Sequence, residues 1–503
     1  MATAGQLARA AADLRAIFAT GKTRSFEWRE SQLKALQEMI ACREKEILEA
    51  LRSDLNKPEY EAYLHEIVAV SSSCNFALKN LRQWMTPEKV KTSMASFPSS
   101  ATIVPEPLGV VLIISTWNYP FLLLLDPLIG AIAAGNAVVL KPSEVAPATS
   151  FVLSTLLREY MDTSAVKVIE GATPQVTALL ELKWDKIFFT GSSKVGRVVM
   201  AAAAKHLTPV VLELGGKSPV VVDSDIDLEV TARRIISGKW GCNAGQTCIS
   251  PDYILTTKAC ASQLVEALSS QLEKFFGEEP LRSNDLASII NSNHFERLAK
   301  LLDDDKIAGK VVYGGQLDGA NLRIAPTVIL DAPQDSLIMN EEIFGPLLPI
   351  VTVKLNDHLL YICDAPYIVT ICSVDSKVNK LEDCISLINA REKPLAAYLF
   401  TNNERFKEEF VRGVAAGGMA INETALQFAE HALPFGGVGE SGMGSYHGKY
   451  SFDAFSHKKP VLQRGFKGDS AARYPPYTPE KLKFLKALMS RNMFRILRAM
   501  LGL

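Results

Sequence analysis

Leu108-Gly-Val-Val-Leu-Ile-Ile-Ser-Thr-Trp-Asn-Tyr-Pro-Phe-Leu-Leu-Leu-Leu125 is the stretch on which the fold turns. None of its 18 residues is charged, which meets the length of a short membrane span. Asn118-Tyr-Pro120 breaks the run with a turn signal, however, and Asp126 closes it. The better reading is a buried parallel strand over 109–115, a functional loop, then a buried helix. Outward from there, strand-like and helix-like segments alternate at 126–134, 137–140, 146–160, 166–169, 174–182, 186–190, 193–203 and 210–213. That βαβ rhythm predicts an α/β fold with a Rossmann-like, doubly wound parallel sheet.

Residues 5–90 read as helices, because Ser31-Gln-Leu-Lys-Ala-Leu-Gln-Glu-Met-Ile-Ala repeats apolar residues at helical spacing and 44–55 does so again. The Ser/Pro-rich residues 94–107 suit a β-hairpin leaving the domain, and a second α/β region spans about 214–417. Pro434-Phe-Gly-Gly-Val-Gly-Glu-Ser-Gly-Met-Gly444 is too rich in glycine to be regular. At 503 residues the chain needs two or three cores. Its 48% hydrophobic and 22% charged content is that of a soluble globular protein. A formal net charge of −1 provides no field to attract nucleic acid. The eight cysteines follow no disulfide framework, and Cys363 and Cys372 lack partners at zinc-ligand spacing. They read as reduced intracellular thiols, with no metal site. Arg9, Asp13 and Arg15 interrupt any signal-peptide core near the start.

Two segments carry the chemistry: Glu213-Leu-Gly-Gly-Lys217, and Gly241-Cys-Asn-Ala-Gly-Gln-Thr-Cys248. The first puts a carboxylate at the end of an apolar strand, where α/β folds collect their sites. The second puts thiols among small and polar residues. With an acceptor for the hydride, a cysteine and a carboxylate can take an aldehyde through a thioester and hydrolyse it. Composition alone ranks Cys248 over Cys242 only weakly, and Asn118 alone reads as a turn residue. Gly191-Ser-Ser-Lys-Val-Gly196 has the first and last glycines of a dinucleotide fingerprint but Ser193 in the middle place. A strand feeding a helix from Ser193 still leaves backbone amides for a pyrophosphate.

Taken with Trp117-Asn-Tyr-Pro120, Lys141-Pro-Ser-Glu144, Phe189-Thr-Gly-Ser192 and Glu342-Ile-Phe-Gly-Pro346, these segments resemble the aldehyde dehydrogenase superfamily in identity and order, from about residue 30 to about 460. The resemblance implies Cys248 as the nucleophile, with Cys242 a wall residue. It also implies Asn118 as oxyanion donor with the Cys248 N–H, and Glu213 as general base. It implies a nicotinamide cofactor held by Gly191, Ser192 and Gly196, with Lys141 and Glu144 at the adenine ribose and Glu342 and Phe344 at the nicotinamide end. Glu144 near a ribose 2′-hydroxyl favours NAD, while NADP stays open if Lys141 offsets a 2′-phosphate. The implied organisation is a cofactor domain (1–93 and 108–212), a catalytic α/β domain (213–417), and small β bridging and oligomerisation segments (94–107 and 418–460). A tail follows over 461–503.

The segment from Pro434 to Lys459, with Asp54-Leu-Asn-Lys-Pro58, looks like the class-3, fatty-aldehyde branch. That branch implies medium- to long-chain aliphatic or aromatic aldehydes as substrates and a homodimer. The rivals are an acylating, coenzyme A-dependent enzyme, against which Glu213 argues, and a catalytically impaired structural relative. One stretch departs from the pattern: about 354–379, apolar and β-branched, intervenes where the family goes almost directly to a helix. A misjudged exon boundary is the favoured explanation, and it puts folding and activity in question. Finally, residues 479–503 form a helical pattern with Lys481, Lys483, Lys486, Arg491, Arg495 and Arg498 opposed only by Glu480. This predicts a basic amphipathic helix, either lying on anionic lipid or packing on a dimer partner. Placement is then cytoplasmic, or peripheral on the endoplasmic reticulum or another intracellular membrane.

Overall fold

The computed structural model describes residues 2–353 except 94, 95 and 97, residues 382–490 except 468 and 470, and residue 494. The 354–379 stretch and nearly all of 491–503 lie outside the described residues. The chain packs as two compact units, residues 1–79 with 108–455, and residues 80–107 with 456–503.

In the first unit the quoted stretch divides into a strand (Val110–Ile114), a loop and a helix (Leu122–Ala134). All five strand residues are buried, as is every residue of the helix. The helix starts at Leu122, four positions before the expected 126. The Glu66 carboxylate accepts from the Phe121 and Leu122 amides (3.0 and 3.1 Å), supplying a cap that the local sequence lacks. Asp126 therefore lies inside the helix. There it is 2% exposed and faces His447 at 3.3 Å and the Ser73 hydroxyl.

Six strands form one sheet in the order Gly442–Met443, Val210–Glu213, Lys186–Thr190, Val110–Ile114, Ala137–Lys141, Val166–Val168. All neighbours are parallel except the Gly442–Met443 edge, which pairs antiparallel with Val210–Glu213. A seven-stranded sheet follows, in the order Val311–Tyr313, Thr327–Leu330, Leu347–Val353, Tyr253–Thr257, Pro219–Val222, Ala396–Phe400, Gly418–Ile421. It is parallel apart from its Val311–Tyr313 edge. Its strands feed two hydrophobic layers by alternation: Val220 and Val222 enter one cluster with Trp240, Leu264 and Leu268, while Val221 enters the other with Leu298, Ile338 and Phe410. Burial on both faces explains the near-continuous apolar strands.

The second unit holds a three-stranded antiparallel sheet, Glu88–Val90, Ser100–Pro107 and Ser456–Gln463. The expected hairpin over 94–107 is corrected to one strand there, whose partners lie upstream at Glu88–Val90 and far downstream at Ser456–Gln463. Its terminal helix, Pro479–Met489, is capped by the Thr478 hydroxyl.

Candidate active site

The strand order of the first sheet reverses between Val110–Ile114 and Lys186–Thr190, a topological switch point. The carboxyl ends of four strands meet along this edge: Val110–Ile114 leads to Asn118, Ala137–Lys141 ends on Lys141, Lys186–Thr190 leads to Gly191 and Ser192, and Val210–Glu213 ends on Glu213. Ser192 caps the helix Ser193–Ala204, its hydroxyl accepting from the Val195 amide, and Gly196 packs in the first turn against Leu214. The buried Lys141 ammonium reaches the Pro142 carbonyl (2.6 Å) and the Glu144 carboxylate (2.7 Å).

Glu213 is held by main-chain bonds on both sides, pairing with Gly442 and accepting the Gly191 amide at 3.0 Å. Its carboxyl group is 2% exposed, and neither oxygen has a hydrogen-bond partner among the described residues. Burial therefore pushes its pKa well above the usual carboxylate range. Glu342 approaches from the second sheet's side of the unit and accepts the Gly216 amide at 2.9 Å. Its carboxyl is pushed up to about 7 by burial, although the Gly216 bond pulls the other way. A Cβ at Gly215 would meet the Glu342 carboxylate and displace it, so glycine here lets that carboxylate lie close to the backbone. Phe344 adopts a left-handed backbone (φ +49°), and its ring meets Trp117 edge-on at 5.4 Å.

The thiol loop leaves the helix Leu228–Lys239, which starts at Asp227 capping the Val230 amide at 2.9 Å. Three consecutive residues then take left-handed conformations: Asn243 (φ +52°), Ala244 (φ +49°) and Gly245 (φ +79°). The two with side chains cost about 1–3 kcal/mol each, so neighbours must hold the loop. The Glu61 carboxylate accepts the Asn243 amide at 2.6 Å, and the Gln246 carboxamide donates to the carbonyls of Asn243 (3.1 Å) and Ser288 (3.0 Å). At the loop's end Cys248 is partly buried, whereas Cys242 is buried. The Cys248 sulfur accepts from its own amide and that of Ile249. Even so, burial first, and then the nearby Glu342 and Glu213 carboxylates, push the thiol up to about 12. The same effects identify both carboxyls as electrostatic neighbours of the sulfur.

Asn118 is 2% exposed. Its side-chain amide donates to the Gln246 carbonyl at 3.1 Å, which ties it to the thiol loop, and a second amide hydrogen stays available for another acceptor. Its main-chain carbonyl accepts from the Asn243 side chain at 2.8 Å. Asn118, Glu213, Glu342 and Cys248 thus converge on one edge. Lys57, Glu61, Glu66, Tyr119, Asn243 and Gln246 complete that neighbourhood, and periodicity gives no hint of the three charged ones. Only Lys57 carried a local signal, in the Asn56-Lys57-Pro58 turn, where Asn56 closes the long helix Phe26–Leu55 in a left-handed conformation.

A doubly wound sheet with a partly buried thiol residue and buried carboxyls at its carboxyl edge defines a thiol-bearing α/β enzyme. The aldehyde dehydrogenase family model matches residues 1–367 and 368–461. An aldehyde dehydrogenase of Craterostigma plantagineum is 60% identical over 489 residues, covering 97% of both chains. Aldehyde dehydrogenase family 3 member H1 of Arabidopsis thaliana is 60% identical over 98% of this chain and 96% of its own, and family 3 member A2 of mouse is 44% identical over 95% and 93%. Among solved structures, the substrate-bound AldH of Staphylococcus aureus superposes with a TM-score of 0.88 at 41% identity, covering 97% of this chain and all of that one. The chain belongs to the aldehyde dehydrogenase family, and family 3 members are among its relatives. It is an oxidoreductase that acts on aldehydes; a solved aldehyde dehydrogenase of Sinorhizobium meliloti, 29% identical to it with a TM-score of 0.80, is NAD-dependent.

Proposed function

We propose that this enzyme oxidises medium- to long-chain aliphatic or aromatic aldehydes to carboxylic acids, with Cys248 as nucleophile, Asn118 as oxyanion donor and Glu213 as general base. The observation that carries the reading is a thiol on a partly buried residue whose close electrostatic neighbours are two buried carboxyl groups. A thiol pushed up to about 12 holds almost no thiolate at neutral pH, so its proton passes to solvent as the sulfur bonds to the aldehyde carbon. The amides of Cys248 and Ile249 steady the sulfur while charge develops. The resulting oxyanion accepts from the Asn118 carboxamide and the Cys248 amide. A nicotinamide held here would supply the acceptor for the hydride leaving the thiohemiacetal carbon, and Cys248 would then carry the acyl group as a thioester. Glu213 then takes a proton from the water that attacks the thioester, and burial makes its carboxylate a stronger base than an exposed one. Collapse of the adduct frees the acid and returns that proton to the sulfur.

The cofactor fits the donor set along the sheet edge. Lys141 and Glu144 would meet the adenine ribose, the amides at Gly191, Ser192 and Gly196 the pyrophosphate, and Glu342 with Phe344 the nicotinamide end. The Glu144 carboxylate supports NAD over NADP. On this reading the sheet of Val110–Glu213 belongs to the cofactor domain and that of Pro219–Ile421 to the catalytic domain. Chain length follows from the resemblance of the Pro434–Lys459 segment to the fatty-aldehyde branch. Exposed Val195, Val198 and Met200 on the helix Ser193–Ala204, with Leu207 after it, support a homodimer. No helix among the described residues is long and apolar enough to cross a membrane. Exposed Leu482, Leu485 and Met489 beside Lys483 and Lys486 support peripheral lipid contact by the terminal helix, on a cytoplasmic enzyme.

The test is NADH absorbance over a chain-length series of aldehydes with both cofactors. Cys248→Ala is expected to abolish oxidation while NAD still binds, and Cys242→Ala to keep most activity. An exchange of those two results would overturn the nucleophile assignment.

A further inference from the structure

Lys57 and Glu66 form an ion pair whose side chains are both 0% exposed, with the ammonium 2.6 Å from the carboxylate. Burying two charges is costly, and neutral residues of similar size at such a place commonly give equal or greater stability. This pair is distinguished by what its remaining valences hold. The Lys57 ammonium donates to the Asn118 carbonyl at 3.1 Å and sits 4.1 Å above the centre of the Tyr119 ring. The second oxygen of Glu66 accepts the Phe121 and Leu122 amides at 3.0 and 3.1 Å. The pair therefore grips both ends of the loop that carries Asn118. Glu66 is aimed there from a π-helical turn (Tyr63–Val68), an irregularity frequent at functional sites. The Tyr119 hydroxyl meets the Thr247 hydroxyl at 2.9 Å, which joins the same loop to the residue preceding Cys248.

We propose that Lys57 and Glu66 are positioning residues for aldehyde oxidation, setting the Asn118 carboxamide against the Cys248 sulfur by fixing the Asn118 carbonyl and the start of the next helix. The inference rests on the reading of Asn118 as oxyanion donor. An apolar pair of the same volume fills the space but offers no donor to the Asn118 carbonyl and no acceptor for the two amides. The loop then shifts, and a misplacement of about 1 Å at a reacting group costs on the order of 100-fold in rate.

Four full-length variants test this: Lys57→Met, Lys57→Met with Glu66→Gln, Asn118→Ala, and Lys57→Met with Asn118→Ala. Lys57→Met is expected to lower kcat about 100-fold with the KM for NAD within twofold of the parent. Adding Glu66→Gln removes the stranded buried charge, so it restores the melting temperature but leaves kcat low. If Lys57→Met alone does not fold, this neutral double variant carries the kcat measurement. In the Asn118→Ala background, Lys57→Met is expected to cost no further kcat, because its contribution passes through the missing carboxamide. A merely structural role would instead multiply the two losses. Multiplied losses, or a folded Lys57→Met enzyme with kcat within threefold of the parent, would overturn the proposal alone. Full activity in Asn118→Ala would overturn the oxyanion reading, and the proposal with it.

Discussion

Replacing Glu213 with Gln keeps the shape of the site and removes its proton acceptor. Neither carboxyl oxygen has a hydrogen-bond partner among the described residues, so the amide breaks no such bond there. The side chain is 2% exposed, so solvent cannot take over its role directly. A positioned general base contributes about 10²–10⁴ in rate, or about 3–5 kcal/mol of barrier. That loss should fall on thioester hydrolysis alone, because attack by sulfur and departure of hydride need no proton taken by Glu213. Stopped-flow absorbance should therefore show one burst of NADH per active site, with steady-state turnover 10²–10⁴-fold below the parent. The sign of the pH effect follows. Burial raises the folded pKa of Glu213, so the parent's kcat climbs as pH rises through that elevated value and the active carboxylate forms. In Glu213→Gln this limb should vanish from the residual rate. Equal loss of burst and steady state would refute the reasoning and assign Glu213 to thiol activation.

Glu61, 6% exposed, is raised from 4.5 to about 7, chiefly by burial. Such a group stabilises the fold fully below its unfolded pKa and loses that contribution as pH rises through 7, by up to about 3 kcal/mol. Glu61→Gln should therefore flatten the fall in melting temperature between pH 5 and 8, and an unchanged slope would show that ionisation of Glu61 is not linked to folding. Glu144→Gln frees the Lys141 ammonium from its 2.7 Å partner and removes a like charge from a 2′-phosphate. The ratio of kcat/KM for NADP over NAD should rise about tenfold, about 1.4 kcal/mol, and a constant ratio would remove Glu144 from the ribose site. Full-length enzyme should sediment with anionic liposomes, less so in high salt, and truncation after Tyr477 should abolish this. Binding that survives the truncation would exclude the terminal helix.

The sequence by itself determined the α/β class, the five parallel strands of the first sheet to within a residue or two, and the six motifs that identify the family; it missed the short Gly442–Met443 edge strand, which lies in the glycine-rich stretch read as irregular. It could do so because an apolar run, a turn signal and glycine spacing are local properties of the chain. The convergence of Asn118, Glu213, Glu342 and Cys248 was legible only as order along the chain, through resemblance. Their meeting depends on strand order, which no local pattern encodes. The start of the helix at Leu122 was decided by Glu66, 56 residues away, and the left-handed thiol loop by Glu61, 182 residues before Asn243. The pairing of Lys57 with Glu66 was invisible for the same reason, although the turn at Lys57 was not. In a helical amphipathic pattern a charged residue reads as solvent-facing, and only the packed structure brings in the carbonyl and amides that keep those two charges inside.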